Sequence, residues 1–363
     1  RQGAMAAVRL KRYEQLAELP GYIVQNLVAI VGPFFVALVW VLIAGIVWAW
    51  YAILRPYLLM QYGLEYTLLH AALAHLLLVN VVFHYYKGTT THPGEPPKVS
   101  EEVYERGVEN NFKHCNRCRN LKPERAHHCI ICGTCVLKMD HHCPWFNSCV
   151  GFFNHRYFYL FMLYIWLGCI YVCAVAYGPF NARKSLRREL RRQHRLGDYH
   201  QELELRGVRS FMISCTPLRL AMYTCARADV LTHAFMSMCR LRQLPAQSSQ
   251  LAMCFVLTGA VVFALGLLLS WHTYLISSSE TTIEFYTNAM KRKEAWEQGK
   301  TWRNPYFLGV ARNWRVFLGV EDPEVSWWRV IFPSDHRAMG DGLRWNELKR
   351  DAADPSRTKL MSV

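Results

Sequence analysis

The sequence predicts an all-α polytopic membrane protein, with four transmembrane helices and a small two-zinc, cysteine-rich cytosolic domain between helices 2 and 3. Three observations predict it. Gly21–Leu54, Tyr66–Tyr86, Tyr157–Ala182 and Gln243–Ser279 contain no Asp, Glu, Lys or Arg, and each holds an apolar stretch near the ~20 residues needed to cross a bilayer. Seven of the 13 cysteines fall between Cys115 and Cys149. The net charge of +15 is spread unevenly over the connecting loops.

The spans are placed near 29–53, 66–86, 157–178 and 251–275. The second is the weakest, because His70, His75, Asn80 and His84 interrupt it, and a buried hairpin helix of a soluble protein is its alternative reading. Trp48, Trp50, Tyr51, Tyr85, Tyr86, Tyr157, Tyr159 and Trp271 sit at span edges, where interfacial aromatics belong. Of the 42 Lys and Arg residues, 28 lie before the first span, between the second and third, or after the fourth. Positive-inside reasoning makes that side cytosolic, with both termini and the cysteine-rich loop on it. Another 13 cations lie between the third and fourth spans, chiefly from Arg183 to Arg192. That loop exceeds the roughly 60 residues over which charge bias is effective, so the other loops decide. A fifth span within Phe211–Cys239 would have to bury Arg219, Arg227 and Asp229, which is costly. The chain opens on Arg1, so an upstream segment stays open; no cleavable signal is visible.

Four regions follow: 1–86 with the first two spans, 87–156 with the cysteine-rich domain, 157–275 with the last two spans and a long basic lumenal loop, and a cytosolic 276–363. Lys87–Val108, with Pro93, Pro96 and Pro97, is expected to leave the second span without helix. Asn181–Glu204 has helical periodicity and many charges. Trp327-Trp328-Arg329-Val330-Ile331-Phe332 suits a membrane interface, and the last 25 residues look like a polar tail. No internal repeat is apparent. Cys169, Cys173 and Cys254 lie in spans and read as small buried hydrophobes; Cys215, Cys225 and Cys239 are too sparse for a disulfide framework.

Cys115-x2-Cys118, His127-His128-Cys129-x2-Cys132-x2-Cys135, His142 and Cys149 supply ligands for two tetrahedral zinc ions. A reducing cytosol keeps such thiols available. Eight ligands fill two sites, and six cysteines with two histidines provide them. One thiol is left over, and Cys143 is the best candidate for it. Which ligands share an ion is ambiguous from spacing, since Cys132 pairs as well with Cys129 as with Cys135. A domain of about 45 residues cannot bury enough apolar surface alone, so metal would supply much of its folding free energy, through short hairpins and turns.

The spare thiol follows Asp140 and His141. In extended chain, His141 and Cys143 share a face while His142 turns the other way. A neutral His141 can take the thiol proton, and Asp140 can fix its tautomer. The bland reading makes all four residues from Asp140 to Cys143 ligands or ligand supports. A thiolate at the membrane surface suits thioester chemistry, because sulfur both attacks and leaves well near neutral pH. A long-chain acyl-CoA would be the donor, its phosphates drawn to Lys113, Arg117, Arg119, Lys122, Arg125 and Lys138. Those cations equally fit an ordinary positive-inside bias.

These motifs, with Lys122-Pro123-x-Arg125, Pro144-Trp145, Asn147, Gly151, Thr281-Thr282-Ile283-Glu284 and Asn313, resemble the DHHC protein S-acyltransferases. The match runs from the first span to about Gly319. Asn304-Pro305-Tyr306 and Asn313-Trp314-x-Val316-Phe317-Leu318-Gly319-Val320 look most like the endoplasmic-reticulum branch known as Abl-philin. The resemblance implies palmitoyl transfer from acyl-CoA through a Cys143 thioester to cysteines of membrane-associated proteins. His141 would be the base and Asp140 its partner. One structural zinc would take Cys115, Cys118, His128 and Cys135, and the other Cys129, Cys132, His142 and Cys149. Thr282 and Glu284 would brace the site from below, Asn313 would tie the C-terminal segment to the spans, and Trp145 would lie by the thioester. Lys122 and Arg125 would serve acyl-CoA. Gly168 stands where the family's acyl cavity ends on the third span, often at a larger side chain, so tolerance of chains longer than palmitoyl is expected. The resemblance also implies an endoplasmic-reticulum location, with the Golgi as alternative, and no nucleic-acid partner.

Two rival classes remain. A membrane-anchored zinc module of the ubiquitin-ligase type, or a scaffold, would have no use for Cys143. A metal transporter would need carboxylates or histidines facing one another across several spans, and outside the second span these are nearly absent.

Overall fold

The computed structural model describes residues 27–28, 30–207, 255–322, 325–336 and 338–345. Four helices are long and apolar enough to cross a membrane: α1 (Ile30–Leu59), α2 (Tyr62–Thr90), the opening stretch His155–Tyr177 of α4 (His155–Gly207), and α5 (Phe255–Ser277). They coincide with the four expected spans. The break between α1 and α2 falls at Gly63, whose φ of 82° favours glycine. Among the polar residues of α2, Asn80 donates to the Leu76 carbonyl at 2.9 Å and the His84 ring stacks on Tyr164 at 5.5 Å, while Asn80 Oδ1 and both His84 ring nitrogens are buried without a hydrogen-bond partner. Asn181–Glu204 is helical as the periodicity suggests, continuing α4 to Gly207. Cys215, Cys225, Cys239 and Cys254, the basic loop beyond residue 207 and the excluded fifth span lie outside the described residues.

The chain forms two compact units. The second comprises Trp48–Ala71 and Gly168–Phe263. Within it Tyr62, Tyr66 and His70 form a column with ring centroids 4.9 and 4.6 Å apart, and His70 meets the Tyr171 hydroxyl at 3.1 Å. Gly168 belongs to this unit, and a Cβ built there meets nothing within 4 Å.

The first unit holds the remaining parts of the spans, the cysteine-rich region and the C-terminal region. Between α2 and α4 the described chain forms one short helix and three two-stranded antiparallel hairpins. The helix, α3 (Glu101–Glu109), corrects the expectation of a helix-free connector. Ser100 caps it by accepting from Val103 N, and Glu101 and Glu102 suit its first turn. The hairpins are β1 (His114–Cys115) with β2 (Asn120–Leu121), β3 (His127–Cys129) with β4 (Thr134–Val136), and β5 (His141–Cys143) with β6 (Ser148–Val150).

These hairpins are copies of one another, a repeat the sequence reading missed. Cys115, Cys129 and Cys143 stand 14 residues apart at equivalent positions, opposite Asn120, Thr134 and Ser148. The turn of each carries a positive φ at the matching place: 45° at Arg119, 72° at Gly133 and 49° at Asn147. The signal was present, since His114-Cys115, His128-Cys129 and His142-Cys143 recur at the same 14-residue spacing.

The hairpins are pinned to α2 and α4 by Asn154, which is wholly buried. Its side chain accepts from Gly151 N at 2.8 Å and donates to the carbonyls of Cys149, at 2.8 Å, and Gly88, at 3.5 Å. After α5 come α6 (Thr282–Glu297), α7 (Val310–Leu318) and α8 (Trp328–Ile331). Trp327, Trp328, Ile331 and Phe332 are exposed. Trp345 is buried against Phe152, so the C-terminal stretch is not wholly a polar tail. Substituting Asn154→Ala strands a buried N–H and a buried carbonyl, a loss of about 1–3 kcal/mol. A thermal melt of the detergent-solubilised protein should show a lower midpoint; an unchanged one would contradict this role.

Candidate active site and metal centres

The hairpin register builds two thiol–imidazole clusters. In β3–β4 His128 lies directly opposite Cys135, and in β5–β6 His142 lies opposite Cys149. Cys115 and Cys118, from the first hairpin, meet His128 and Cys135 of the second; Cys129 and Cys132, from the second, meet His142 and Cys149 of the third. The sulfurs approach His128 Nδ1 at 3.1–3.9 Å and His142 Nδ1 at 3.3–3.7 Å. A tetrahedral zinc with Zn–S ~2.3 Å and Zn–N ~2.0 Å spaces its ligand atoms by roughly these distances. The two sets are suited to two zinc ions, and the pairing that spacing left ambiguous resolves into a chain in which the middle hairpin serves both.

Cys143 belongs to neither cluster. In the repeat it occupies the place of Cys115 and Cys129, the first thiol of each pair. The place of the second thiol, filled by Cys118 and Cys132, is taken by Phe146. Cys143 is 4% exposed and packs in the apolar cluster that holds Tyr85, Phe146, Phe158 and Phe161. Phe146 presses so closely on α2 that a Cβ at Gly88 would come within 2.2 Å of its ring. Tyr85 donates to the Trp145 carbonyl at 3.0 Å, and the half-exposed Trp145 ring lies 4.6 Å from Phe35.

Asp140 and His141 do meet, although adjacent in sequence: His141 Nδ1 donates to Asp140 Oδ2 at 2.7 Å. Asp140 is 1% exposed. Its other bonds come from Thr282 at the start of α6, whose N–H reaches Oδ1 at 2.8 Å and whose hydroxyl reaches Oδ2 at 2.9 Å. Burial works against the Asp140 charge, but the hydrogen bond from His141 and the surrounding imidazoles outweigh it and hold the carboxyl below its usual range. Burial would also depress His141, yet its bond to Asp140 and the adjacent Cys143 sulfur reverse the effect and raise it to about 9. The result is a strongly basic imidazole beside a free thiol.

Why α6 begins where it does is a local matter. Thr281 caps it, accepting from Glu284 N at 3.2 Å while Glu284 Oε2 accepts from Thr281 N at 2.9 Å, a reciprocal capping box. Glu284 also accepts two bonds of 2.6 Å from Arg125, which donates as well to the Ser279 carbonyl at 3.0 Å. The Arg125 guanidinium packs on the Tyr306 and Trp345 rings at 4.4 and 4.5 Å. Burial disfavours the Glu284 charge, but Arg125 overrides it and keeps the carboxyl below its ordinary range. Arg125, expected to face acyl-CoA, is thus buried and engaged inside the protein. Lys138 is also drawn in, its ammonium over Phe317 and Trp345 at 5.8 Å each, with burial lowering its pKa to about 7. Lys122 lines an open concavity beside the first cluster with His114 and Arg117. Asn313 donates to the Ser277 carbonyl at 2.8 Å and accepts from Leu308 N at 3.0 Å, joining α7 to the end of α5. The sequence reading quoted Thr281 and Tyr306 only as members of motifs, without a role of their own, and missed Trp345 together with His155 and His272 beside Asp140; a single aromatic or histidine near a span carries no spacing signal.

Because Cys132 completes only the second cluster, Cys132→Ala should lower bound zinc from about two ions per chain toward one. Metal analysis of the purified protein reads this directly. Retention of two ions would mean that Cys132 is not needed to hold either ion.

The comparisons agree with this geometry. The family model described as DHHC palmitoyltransferase matches residues 108–289. Palmitoyltransferase ZDHHC16B of Danio rerio is 37% identical over 330 residues, spanning 90% of this chain and 80% of the relative. Palmitoyltransferase ZDHHC16 of Homo sapiens is 35% identical over 324 residues, spanning 89% and 78%. Palmitoyltransferase ZDHHC2 of Rattus norvegicus is 25% identical over 258 residues, spanning 70% and 52%. A spare thiol beside an Asp–His pair, two zinc-fitting clusters and four apolar helices thus converge with these likenesses: the chain belongs to the DHHC palmitoyltransferase family and is a protein S-palmitoyltransferase.

Proposed function

We propose that Cys143 is the nucleophile, His141 its base and Asp140 the residue that orients His141. The observation that carries this is the 2.7 Å Asp140–His141 bond beside a thiol that neither metal cluster claims. His141 takes the Cys143 proton, and the thiolate attacks the thioester carbon of a long-chain acyl-CoA. A new S–C bond forms, the CoA sulfur–carbon bond breaks, and His141 returns the proton to the departing CoA thiolate. The thiol of a protein substrate then attacks the acyl-enzyme, giving its proton by way of His141 to the Cys143 sulfur. The zinc ions hold the hairpins that carry Asp140, His141 and Cys143. Thr282 fixes Asp140 through two bonds, so the dyad stays aligned while charge moves.

The cytosolic face of the endoplasmic reticulum is the proposed location, with acceptors at cysteines of membrane-associated proteins. The branch resemblance and the charge bias of the loops support this reading. The division into 1–86, 87–156, 157–275 and 276–363 is kept as the proposed organisation, and Lys122 and Trp145 as proposed acyl-CoA contacts.

Incubation with labelled palmitoyl-CoA tests the chemistry. Cys143→Ser should abolish the hydroxylamine-sensitive label while zinc content holds. His141→Ala and Asp140→Asn should slow acylation by roughly 10²–10⁴-fold. Equal labelling of Cys143→Ser would favour the scaffold or ubiquitin-ligase alternative. Gly168 is proposed to set acyl-chain tolerance, and the open space at its Cβ lets a larger residue be placed there. Gly168→Tyr should lower use of C18 relative to C16 chains in the same assay; an unchanged ratio removes Gly168 from the site.

A further inference from the structure

A third group of ligand-type side chains lies against the dyad, outside both zinc-fitting clusters. Asp140, His155 and His272 are all buried, at 1%, 3% and 3% exposure, and their ligating atoms lie within 4.8 Å of one another. Three elements converge to make it: the chain entering β5, the first residue of α4, and α5. Asp140, His155 and His272 all belong to the first unit. The His155 and His272 rings stand 6.2 Å apart at nearly a right angle, and the His272 ring lies 5.9 Å from that of His141.

The two histidines are not satisfied by the protein. Neither nitrogen of His155 has a hydrogen-bond partner, and His272 Nδ1 has none, although these atoms are buried. An imidazole in that state carries an uncompensated polar cost. Asp140 has capacity to spare: Oδ2 accepts from His141 and from Thr282 Oγ1, whereas Oδ1 accepts only from Thr282 N. Two imidazoles and one carboxylate are a ligand set for zinc or another late first-row divalent ion, and they leave coordination positions for water. The set contains no sulfur, which distinguishes it from the two structural clusters.

We propose that Asp140, His155 and His272 form a third, exchangeable transition-metal site that restrains the enzyme. A cation on Oδ1 draws charge from the carboxylate that orients His141 and so weakens the dyad. Three protein ligands bind less tightly than the four of each structural cluster, which makes the ion exchangeable while the other two stay. The restraint rests on the role given to Asp140 under Proposed function; the metal binding does not.

The experiment uses the full chain in detergent, loaded with its two structural zinc ions and titrated with Zn²⁺ and, separately, with Co²⁺. Cys143→Ser protein, which the proposed chemistry leaves unacylated, serves for the metal count, so that count stands apart from catalysis. The expected result is about one further ion per chain beyond two. The cobalt form should lack the thiolate-to-cobalt charge-transfer band that a Cys-containing site shows. His155→Gln and His272→Gln should each lose this ion, and their two remaining zinc ions report that the hairpins are intact. A count that stays at two in saturating metal overturns the site. So does a thiolate band on the third ion, or its survival in a variant that combines His155→Gln with His272→Gln. In wild type, filling the site should slow acyl-enzyme formation about 10-fold or more, with recovery on adding a weak chelator. A third ion bound without that slowing overturns the restraint and leaves only a binding site.

Discussion

Shared ligation by the middle hairpin is the constraint on which the rest depends. β3–β4 gives His128 and Cys135 to one cluster and Cys129 and Cys132 to the next. The region is too small to be held by its own apolar core, and its strands are two or three residues long. Ligands in series fix the pitch from one hairpin to its neighbour, and the third hairpin inherits that order. The metal clusters would thus set the hairpin that carries Asp140, His141 and Cys143, while Thr282 and the apolar cluster around Cys143 hold its side chains.

A second clamp comes from the far end of the chain. The first turn of α6 presents Thr282 to both oxygens of Asp140, while Thr281 and Glu284 close the cap and Glu284 holds Arg125. Arg125 lies between β2 and β3, so the clamp joins the two sides of the metal region to the helix that follows α5. With an ion pair this deeply buried, the contribution lies in specifying position more than in net stability, because desolvation offsets most of the attraction. The Tyr306 and Trp345 rings against the guanidinium complete the enclosure.

Much of this was legible beforehand. Uncharged segments of the right length revealed all four spans, and ligand arithmetic left Cys143 spare. What the sequence hides is of three kinds. The grouping of the ligands depended on which residues face each other across a hairpin, and spacing cannot distinguish Cys129 from Cys135 as the partner of Cys132. The fate of Arg125 was hidden because a cation sought by phosphate and a cation sought by Glu284, 159 residues later in sequence, look alike. The short α3 depended on the Ser100 cap more than on periodicity, and a run of prolines just before it argued the other way.

Phe146 stands where each earlier hairpin carries its second pair-forming cysteine, and its ring is wedged against Gly88 of α2. A sulfur there would turn Cys143 into half of a chelating dithiol, open to capture by soft metals and to closure as an internal cystine. The benzene ring denies it that companion. The contact that packs Phe146 on α2 thus also leaves Cys143 without a neighbouring thiol on its own hairpin.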